Sequence, residues 1–557
     1  MIQVEESGGE RYWVGNPDFT RLFFPSGMKR LPPPNKVPVI KGPDTKRYML
    51  VGGSAAAGDP DADFSIARVL EWILATTHPE TNWEILNLAY TACNSHVAAE
   101  VVRQSGPYDL DGILVLVGNN EVIGPFGPGT TLTGQLPSRA RSRWQVRLRK
   151  TRLGQLAQDL RESMQGPDGE PESWRGMQAF LEHRVDAGDS RLQEVYRNFR
   201  MNLEDIGLAA RERDLPVLLS DVPVNLVDQP PFFDDPSKLP ELLRERVVEF
   251  LNTGRTPLSI EDVLQAASIH DHSAYLNYMT GQLLLGAGQL DEAERFLKTA
   301  RDLDQLRFRT DSEIEEIIRN IQDSGDPPWI PVDATRPLIE DSPKKSLGFP
   351  HFYEHVHFSF RANFLIAREF AGALLETEGL NAESLDAINW NEAAAGLAYT
   401  PYDTWLILEE MEKRFALPPF TQIPGYGRIT AWMDQLRTLL HERISKAEEK
   451  ARMQETYMAA IQARPDDHRL KLNFANFLKA FGRPEAAFEI MDAIHDDNPG
   501  DGELTIAWFS ICLDLKKPAL AREAFERIIK LFPEHPNIAA FREQLEELEK
   551  QTGDAPG

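Results

Sequence analysis

The chain has 557 residues, 42% hydrophobic and 26% charged, a mixture that predicts about three or four folded units and excludes a disordered polymer. Its 60 basic and 86 acidic residues leave a net charge of −26, so binding to nucleic acid through a general basic surface is excluded. Two cysteines, Cys93 and Cys512, rule out a disulfide framework and a four-thiolate metal site, and no stretch approaches the roughly 20 apolar residues of a membrane span.

Residues 1–10 are polar and lack a signal-peptide apolar region, so the chain reads as soluble as given. Residues 1–45 read as an irregular N-terminal arm. Pro25, Pro32, Pro33, Pro34 and Pro38 forbid long helices there, and Phe19, Leu22, Phe23 and Phe24 are expected to pin the arm to a neighbouring surface. Apolar runs at 48–51, 83–87, 112–117, 216–220 and 329–332 then read as strands, with a helical pattern at 64–76 between the first two. Continuous apolar strands separated by helices predict a parallel sheet covered on both faces. Chemistry in such a sheet belongs in the loops after the C-terminal strand ends.

From 239 to about 325 the pattern becomes helical. Gly281, Gly288, Ala293 and Ala300 stand at the small-residue offsets of a tetratricopeptide unit, where two helices approach closely. Helical segments at 384–415 and 426–461 lead to a clearer repeat, in which Pro465, Pro499 and Pro533 recur every 34 residues. Ala487 and Ala521 hold equivalent positions there, each followed by a large residue, Met491 or Phe525, and residues 551–557 are expected to fray. The resulting division is an arm at 1–45, an α/β unit at 46–235 closed by 329–378, a helical insertion at 236–328, a helical bridge at 379–450 and repeats at 451–550.

Three stretches can carry chemistry. Ser54 follows Gly52 and Gly53 at the first strand end, where a tight turn presents a hydroxyl and backbone N–H groups, or simply caps a helix. Gly118, Asn119, Asn120 and Glu121 follow the third strand; the Asn120 amide can donate to an oxyanion, or the group can be an ordinary turn. Glu354 and His357, three apart, would meet across one helical turn, so that the carboxylate fixes the imidazole tautomer. His351, His355 and His357 also lie close enough in sequence for a metal reading, and packing at a helix start is a further reading.

The order of these pieces resembles the SGNH/GDSL hydrolase family. Ser54 matches its nucleophile, Asn120 its oxyanion amide and His357 the base of an acid-x-x-His block, with Glu354 as the acid. Ala89, after Asn87 and Leu88, takes the place of the second-block glycine, whose N–H joins that of Ser54 in the oxyanion hole, with Gly53 and Gly118 as supporting loop positions. The runs at 118–129 and 352–357, with Asn16, Pro17, Asp18 and Phe19, resemble a tetratricopeptide-containing subfamily of bacterial proteins. There, a helical insertion interrupts the hydrolase domain, and an N-terminal membrane helix often precedes the Asn-Pro segment. Three positions depart from the family pattern: Gly53 for Asp, Ala89 for Gly and Glu354 for Asp.

The resemblance implies a three-layer α/β/α parallel sheet with a helical insertion and C-terminal repeats. It implies a serine esterase acting on an acyl ester, such as an O-acylated carbohydrate or a lipid, with no metal or organic cofactor. Transfer of the acyl group to a sugar acceptor is an alternative outcome, and an inert hydrolase fold serving as a repeat scaffold is another. A protein partner is expected at the repeats, and an extracytoplasmic, membrane-associated location follows from the tether of similar proteins.

Outside these blocks, Arg139, Arg141, Arg143, Arg147, Arg149, Lys150 and Arg152 form a basic run, read as a solvated helix face or as an anchor for an anionic substrate or lipid headgroup. Trp144 and Leu148 share one face of that helix. The stretch 307–312 is expected to brace the insertion, while His270, Asp271 and His272 read as surface residues.

Overall fold

The computed structural model describes residues 2–7, 9–16, 18–24, 33–130, 138–156, 176–324, 329–532 and 537–552. Pro17, Pro25, Pro32 and Pro533, and the tail beyond Thr552, lie outside them.

The arm is more ordered than its prolines imply. Strands β1 (Ile2–Ser7), β2 (Glu10–Gly15) and β3 (Lys36–Pro38) form an antiparallel sheet in that order. Proline excludes helix but is tolerated on an edge strand, which is where Pro38 sits. Phe19, Leu22, Phe23 and Phe24 are buried as expected; Phe19 stacks on Tyr90 at 5.7 Å and Phe23 meets Phe126 edge-on at 6.4 Å.

All five apolar runs become strands: β4 (Thr45–Gly52), β5 (Asn82–Asn87), β6 (Gly112–Leu116), β7 (Val217–Ser220) and β8 (Trp329–Val332). They form one parallel sheet in the order β5-β4-β6-β7-β8. The one-turn helix α1 (Ser54–Ala57) and then α2 (Ile66–Thr77), α3 (Ser95–Gln104), α4 (Arg139–Arg149) and α5 (Arg191–Arg211) follow the first strands. Ser65 caps α2, and Ile66, Val69, Leu70, Ile73 and Leu74 give it one buried stripe at helical spacing.

Helices α6 (Glu241–Thr253), α7 (Ile260–Ile269), α8 (Ala274–Gly286), α9 (Leu290–Asp302) and α10 (Ser312–Ser324) make up the insertion. The small residues explain the α8–α9 hairpin only in part. A Cβ at Gly281 would lie 2.7 Å from Leu297 Cγ, so glycine is required by close approach. Gly288 instead turns the chain at φ 77°, with nothing near its missing side chain.

After β8 come α11 (Thr335–Asp341) and α12 (Phe360–Thr377). Helices α2 and α12 pack on each other and on the sheet; α3, α5 and α10 form a second packed group, in which α3 contacts β4 and α10 contacts β7 and β8. The bridge is α13 (Trp390–Gly396), α14 (Pro401–Phe415), α15 (Tyr426–Ile444) and α16 (Ala447–Ala463). Two helical hairpins follow, α17 (His468–Ala480) with α18 (Pro484–His495) and α19 (Gly502–Asp514) with α20 (Pro518–Leu531), before α21 (Ile538–Thr552). Pro465 and Pro499 stand just ahead of α17 and α19, and Ala487, Met491, Ala521 and Phe525 are buried between the helices. The chain is thus a parallel α/β unit joined to a region of helical repeats. No helix among the described residues is long and apolar enough to cross a membrane.

Candidate functional site

The C-terminal ends of β4 and β6 bring the first two candidates together. Ser54 opens α1 directly after β4, and Asn120 stands in the turn after β6. A Cβ on Gly53 would lie 2.7 Å from Asn120 Nδ2 and 3.3 Å from the Cys93 carbonyl, so only glycine allows this approach. One N–H of the Asn120 amide donates to that carbonyl at 2.9 Å, and the amide has a second N–H to offer the cavity it lines. Gly118 is held open in the same way, since a Cβ there would lie 2.9 Å from Thr310 Oγ1. Thr310 also fixes the turn, its N–H and hydroxyl both donating to Asn119 Oδ1 at 3.0 and 2.7 Å.

Glu121 anchors the far side of the turn. Its carboxylate accepts from the Ser95 N–H and hydroxyl, each at 2.7 Å, while burial pushes its pKa up to about 7.

His357 reaches Ser54 from 303 residues away. Its Nε2 lies 2.8 Å from Ser54 Oγ, and its Nδ1 lies 2.6 Å from Glu354 Oε1. The expected helical turn between Glu354 and His357 is absent. These residues lie in a loop closed by a bridge between Phe352 and Phe358, and Glu354 Oε1 accepts from the backbone N–H of His357 at 2.7 Å and of Val356 at 3.2 Å. The Asn225 amide ties this loop down from outside by donating to the Glu354 carbonyl at 3.0 Å. Glu354 is 1% exposed, so its carboxylate faces the imidazole rather than water. The carboxylate beside Nδ1 favours a proton on that nitrogen by charge, and such a tautomer leaves the Nε2 lone pair toward the serine. Burial pushes the His357 pKa down to about 4, with the Asp59 carboxylate opposing the shift and Arg414 adding to it, so the ring is neutral at pH 7.

Ala89 does not belong with this group. It is fully buried, its N–H donates to Asn87 Oδ1 at 3.3 Å, and it does not line the cavity. Thr91 and Ala92 take its place in the lining, and Ala92 holds a left-handed φ of 58° that an alanine rarely adopts. The chain turns two to three residues later than the spacing predicts, and that backbone conformation left no mark in the residue types.

Ser54, Asn120, Glu354 and His357 line one cavity of about 430 Å³. Its walls are largely apolar: Ile123 from the turn, Met177 and Phe180, Phe308 from the insertion, and Met411, Leu417 and Phe420 from the helical bridge. The residue pattern did not mark the bridge as a wall. Nor did it single out Asp59 or Arg414. Asp59 Oδ2 lies 3.1 Å from His357 Nε2, and Arg414 of α14 grips the Asp59 carboxylate with two hydrogen bonds, at 2.8 and 2.9 Å. In 307–312, Arg309 donates to the Asn225 and Gln229 carbonyls and Thr310 to Asn119, contacts that link the insertion to the α/β unit, while Arg307 pairs with Asp311 inside the stretch at 3.1 Å.

Of the three neighbouring histidines, His355 and His357 share Glu354, and His351 has a partner of its own. His351 Nε2 meets Asp341 at 2.6 Å, and His355 pairs with Glu354 while packing edge-on against Phe232. Among the described residues, no cluster of three or more His, Cys, Asp or Glu side chains is arranged to hold a metal ion. His272 and Asp271 are exposed, as expected. The basic run is divided: Arg139 and Arg143 pair with Asp205, Lys150 with Glu100, and Arg149 donates to the Leu22 carbonyl, whereas Arg141, Arg147, Trp144 and Leu148 face outward.

No family model matches the chain, and no curated protein matches it. Among solved structures, the crystal structure of the TPR domain of P58(IPK) is similar at 15% identity, over 65% of this chain and 96% of that chain, with a TM-score of 0.18. The expected membership of the SGNH/GDSL family, and with it the SGNH type of sheet, is therefore corrected. No family model and no curated protein supports that membership. What stands is the coarser description, a chain with helical repeats and a parallel sheet.

Proposed function

We propose that the chain is a serine-dependent acyl hydrolase whose helical repeats recruit a partner. The observation that carries this reading is the relay of Ser54 Oγ, His357 Nε2 and Nδ1, and Glu354 Oε1, with links of 2.8 and 2.6 Å. Hydroxyl, imidazole and buried carboxylate at hydrogen-bond distances form an activated nucleophile whatever fold presents them. Ser54 attacks the acyl carbonyl as its proton moves to His357 Nε2. Glu354 stabilises the resulting imidazolium, and the proton then passes to the leaving alkoxide. The Asn120 amide and the Ser54 N–H are the donors offered to the oxyanion, with the backbone near Ala92 replacing Ala89.

A cavity of about 430 Å³, with apolar walls beside a charged end at Asp59, Glu410 and Arg414, has room for an acyl group, so the substrate class is an acyl ester, such as a lipid or an O-acylated carbohydrate. Transfer to a sugar acceptor uses the same acyl-enzyme. The two packed helix groups support an α/β/α layering of this part of the chain.

The test is labelling with a fluorophosphonate probe, read by intact mass and peptide mapping, together with hydrolysis of short aryl esters. The reading expects modification at Ser54 that vanishes in Ser54→Ala and His357→Ala, with turnover down by about 10⁴–10⁶. A folded protein that neither labels nor hydrolyses any ester overturns it.

A second reading, a scaffold whose repeats bind a protein partner, is favoured by the 34-residue recurrence and the stacked hairpins α17–α18 and α19–α20. It accounts for the repeats and leaves the Ser54 relay without a purpose.

A further inference from the structure

We infer that Asp59 is a second carboxylate partner of His357, held in place by Arg414, so that the helical bridge takes part in setting the basicity of the proposed catalytic imidazole. The inference rests on the serine-hydrolase reading for its purpose and on geometry for its content.

His357 Nε2 has two neighbours, Ser54 Oγ at 2.8 Å and Asp59 Oδ2 at 3.1 Å. Only one of them can act in each protonation state. While the ring is neutral, the Nε2 lone pair accepts from the serine hydroxyl, and an ionised carboxylate has no proton to offer it. Once Nε2 has taken the serine proton, it becomes a donor, and Asp59 is an acceptor within hydrogen-bond range. Asp59 therefore favours the imidazolium over the neutral ring, and so favours the transition state over the resting state. The proton itself goes from Ser54 Oγ to Nε2 and on to the leaving oxygen, while Asp59 stays ionised throughout.

An unpaired carboxylate at this spot would hold the imidazolium too well and retain the proton. Arg414 counters that by gripping both Asp59 oxygens, and it is shared with Glu410 at 3.2 Å. The groups facing His357 are then Glu354 from its own loop, Asp59 from the segment after α1, Arg414 from α14, and His355 beside it with ring centroids 6.1 Å apart. Asp59 and Arg414 act through His357 and count as positioning residues. Their contributions have opposite signs.

The test follows the titration of the His357 ring itself, by NMR of histidine-labelled protein with His357→Gln for assignment, in wild type, Asp59→Asn and Arg414→Met. Removing the carboxylate should move the His357 midpoint down, and removing the guanidinium should move it up, each by about one pH unit or more. The acid limb of aryl-ester kcat/KM should move with it. Circular dichroism checks that each variant is folded, and either variant alone reads one sign. Unchanged midpoints in folded variants overturn the inference, even where the enzyme is fully active. If Ser54 fails to label while the midpoints move as stated, the hydrolase reading falls and the charge coupling stands.

Discussion

At the scale of single residues, the site depends on how one buried carboxylate, which also pairs with His355, faces the His357 ring. Glu354 Oε1 accepts two backbone N–H groups and faces His357 Nδ1 at 2.6 Å, so the loop holds its charge before any substrate arrives. Glu354→Gln keeps the shape and removes the charge that favours the Nδ1–H tautomer. On the proposed mechanism, kcat should fall by about 10³–10⁴ with KM little changed, as for the equivalent change in other triads. The pH profile is an independent check. Because burial lowers the His357 pKa to about 4, from 6.5, the neutral base persists above that value and is lost as the pH falls through it. If the proposed hydrolysis holds, the acid limb of kcat/KM should therefore lie near pH 4, and a limb near 6.5 would contradict this picture. Ser54, Asn120 and His357 were legible in the sequence because strand ends and the spacing of polar groups mark them. Ala92, Asp59 and Arg414 were not. A left-handed alanine looks like any other alanine, and nothing local in α14 announces a partner 355 residues away.

Elements were more legible than the loops between them. All five strands appear where apolar runs ended at turn residues, since burial on a covered sheet leaves that imprint directly. The three-residue spacing of Glu354 and His357 misled, because a bridged loop delivers the same contact as a helical turn. The arm misled for a related reason, since prolines that exclude helix still permit short antiparallel strands. Small residues in the insertion were read as packing, which holds for Gly281. Gly281→Ala places a methyl 2.7 Å from Leu297 Cγ and 3.1 Å from the Ala293 carbonyl, so either helix α9 or the Leu297 rotamer must give way. A cost of about 1–3 kcal/mol is expected. Hydrogen exchange should locate it, with amide protection falling in α8 and α9 and staying unchanged in α17 to α20. Equal loss across both regions would mean that the hairpin does not respond as a local unit.

Across the whole molecule, the repeats are fastened to the α/β unit by charges that period and composition gave no reason to expect. Arg469 at the start of α17 donates to both oxygens of Asp63, at 2.7 and 2.9 Å, and to Asp501 at 2.9 Å, with the guanidinium almost fully buried. Arg68 of α2 pairs with Asp467 at 2.6 Å, and Arg464 reaches Glu71. These links tie the start of the first repeat hairpin to α2 and, through Asp63, to the segment ahead of it, which follows Ser54 and carries Asp59. Exposed ion pairs contribute little, but a buried guanidinium shared by two buried carboxylates is different. Removing it strands both charges away from water, and Arg469→Met should destabilise the junction by about 3–5 kcal/mol at pH 7. Limited proteolysis would then release a fragment beginning near α17, while Arg443→Met, on a half-exposed side chain, should leave the digestion pattern unchanged. If the junction also steadies the segment that carries Asp59, the His357 midpoint should broaden or move in Arg469→Met. A sharp, unmoved midpoint alongside released repeats would instead show that the repeats and the site are mechanically independent, joined in space and not in function.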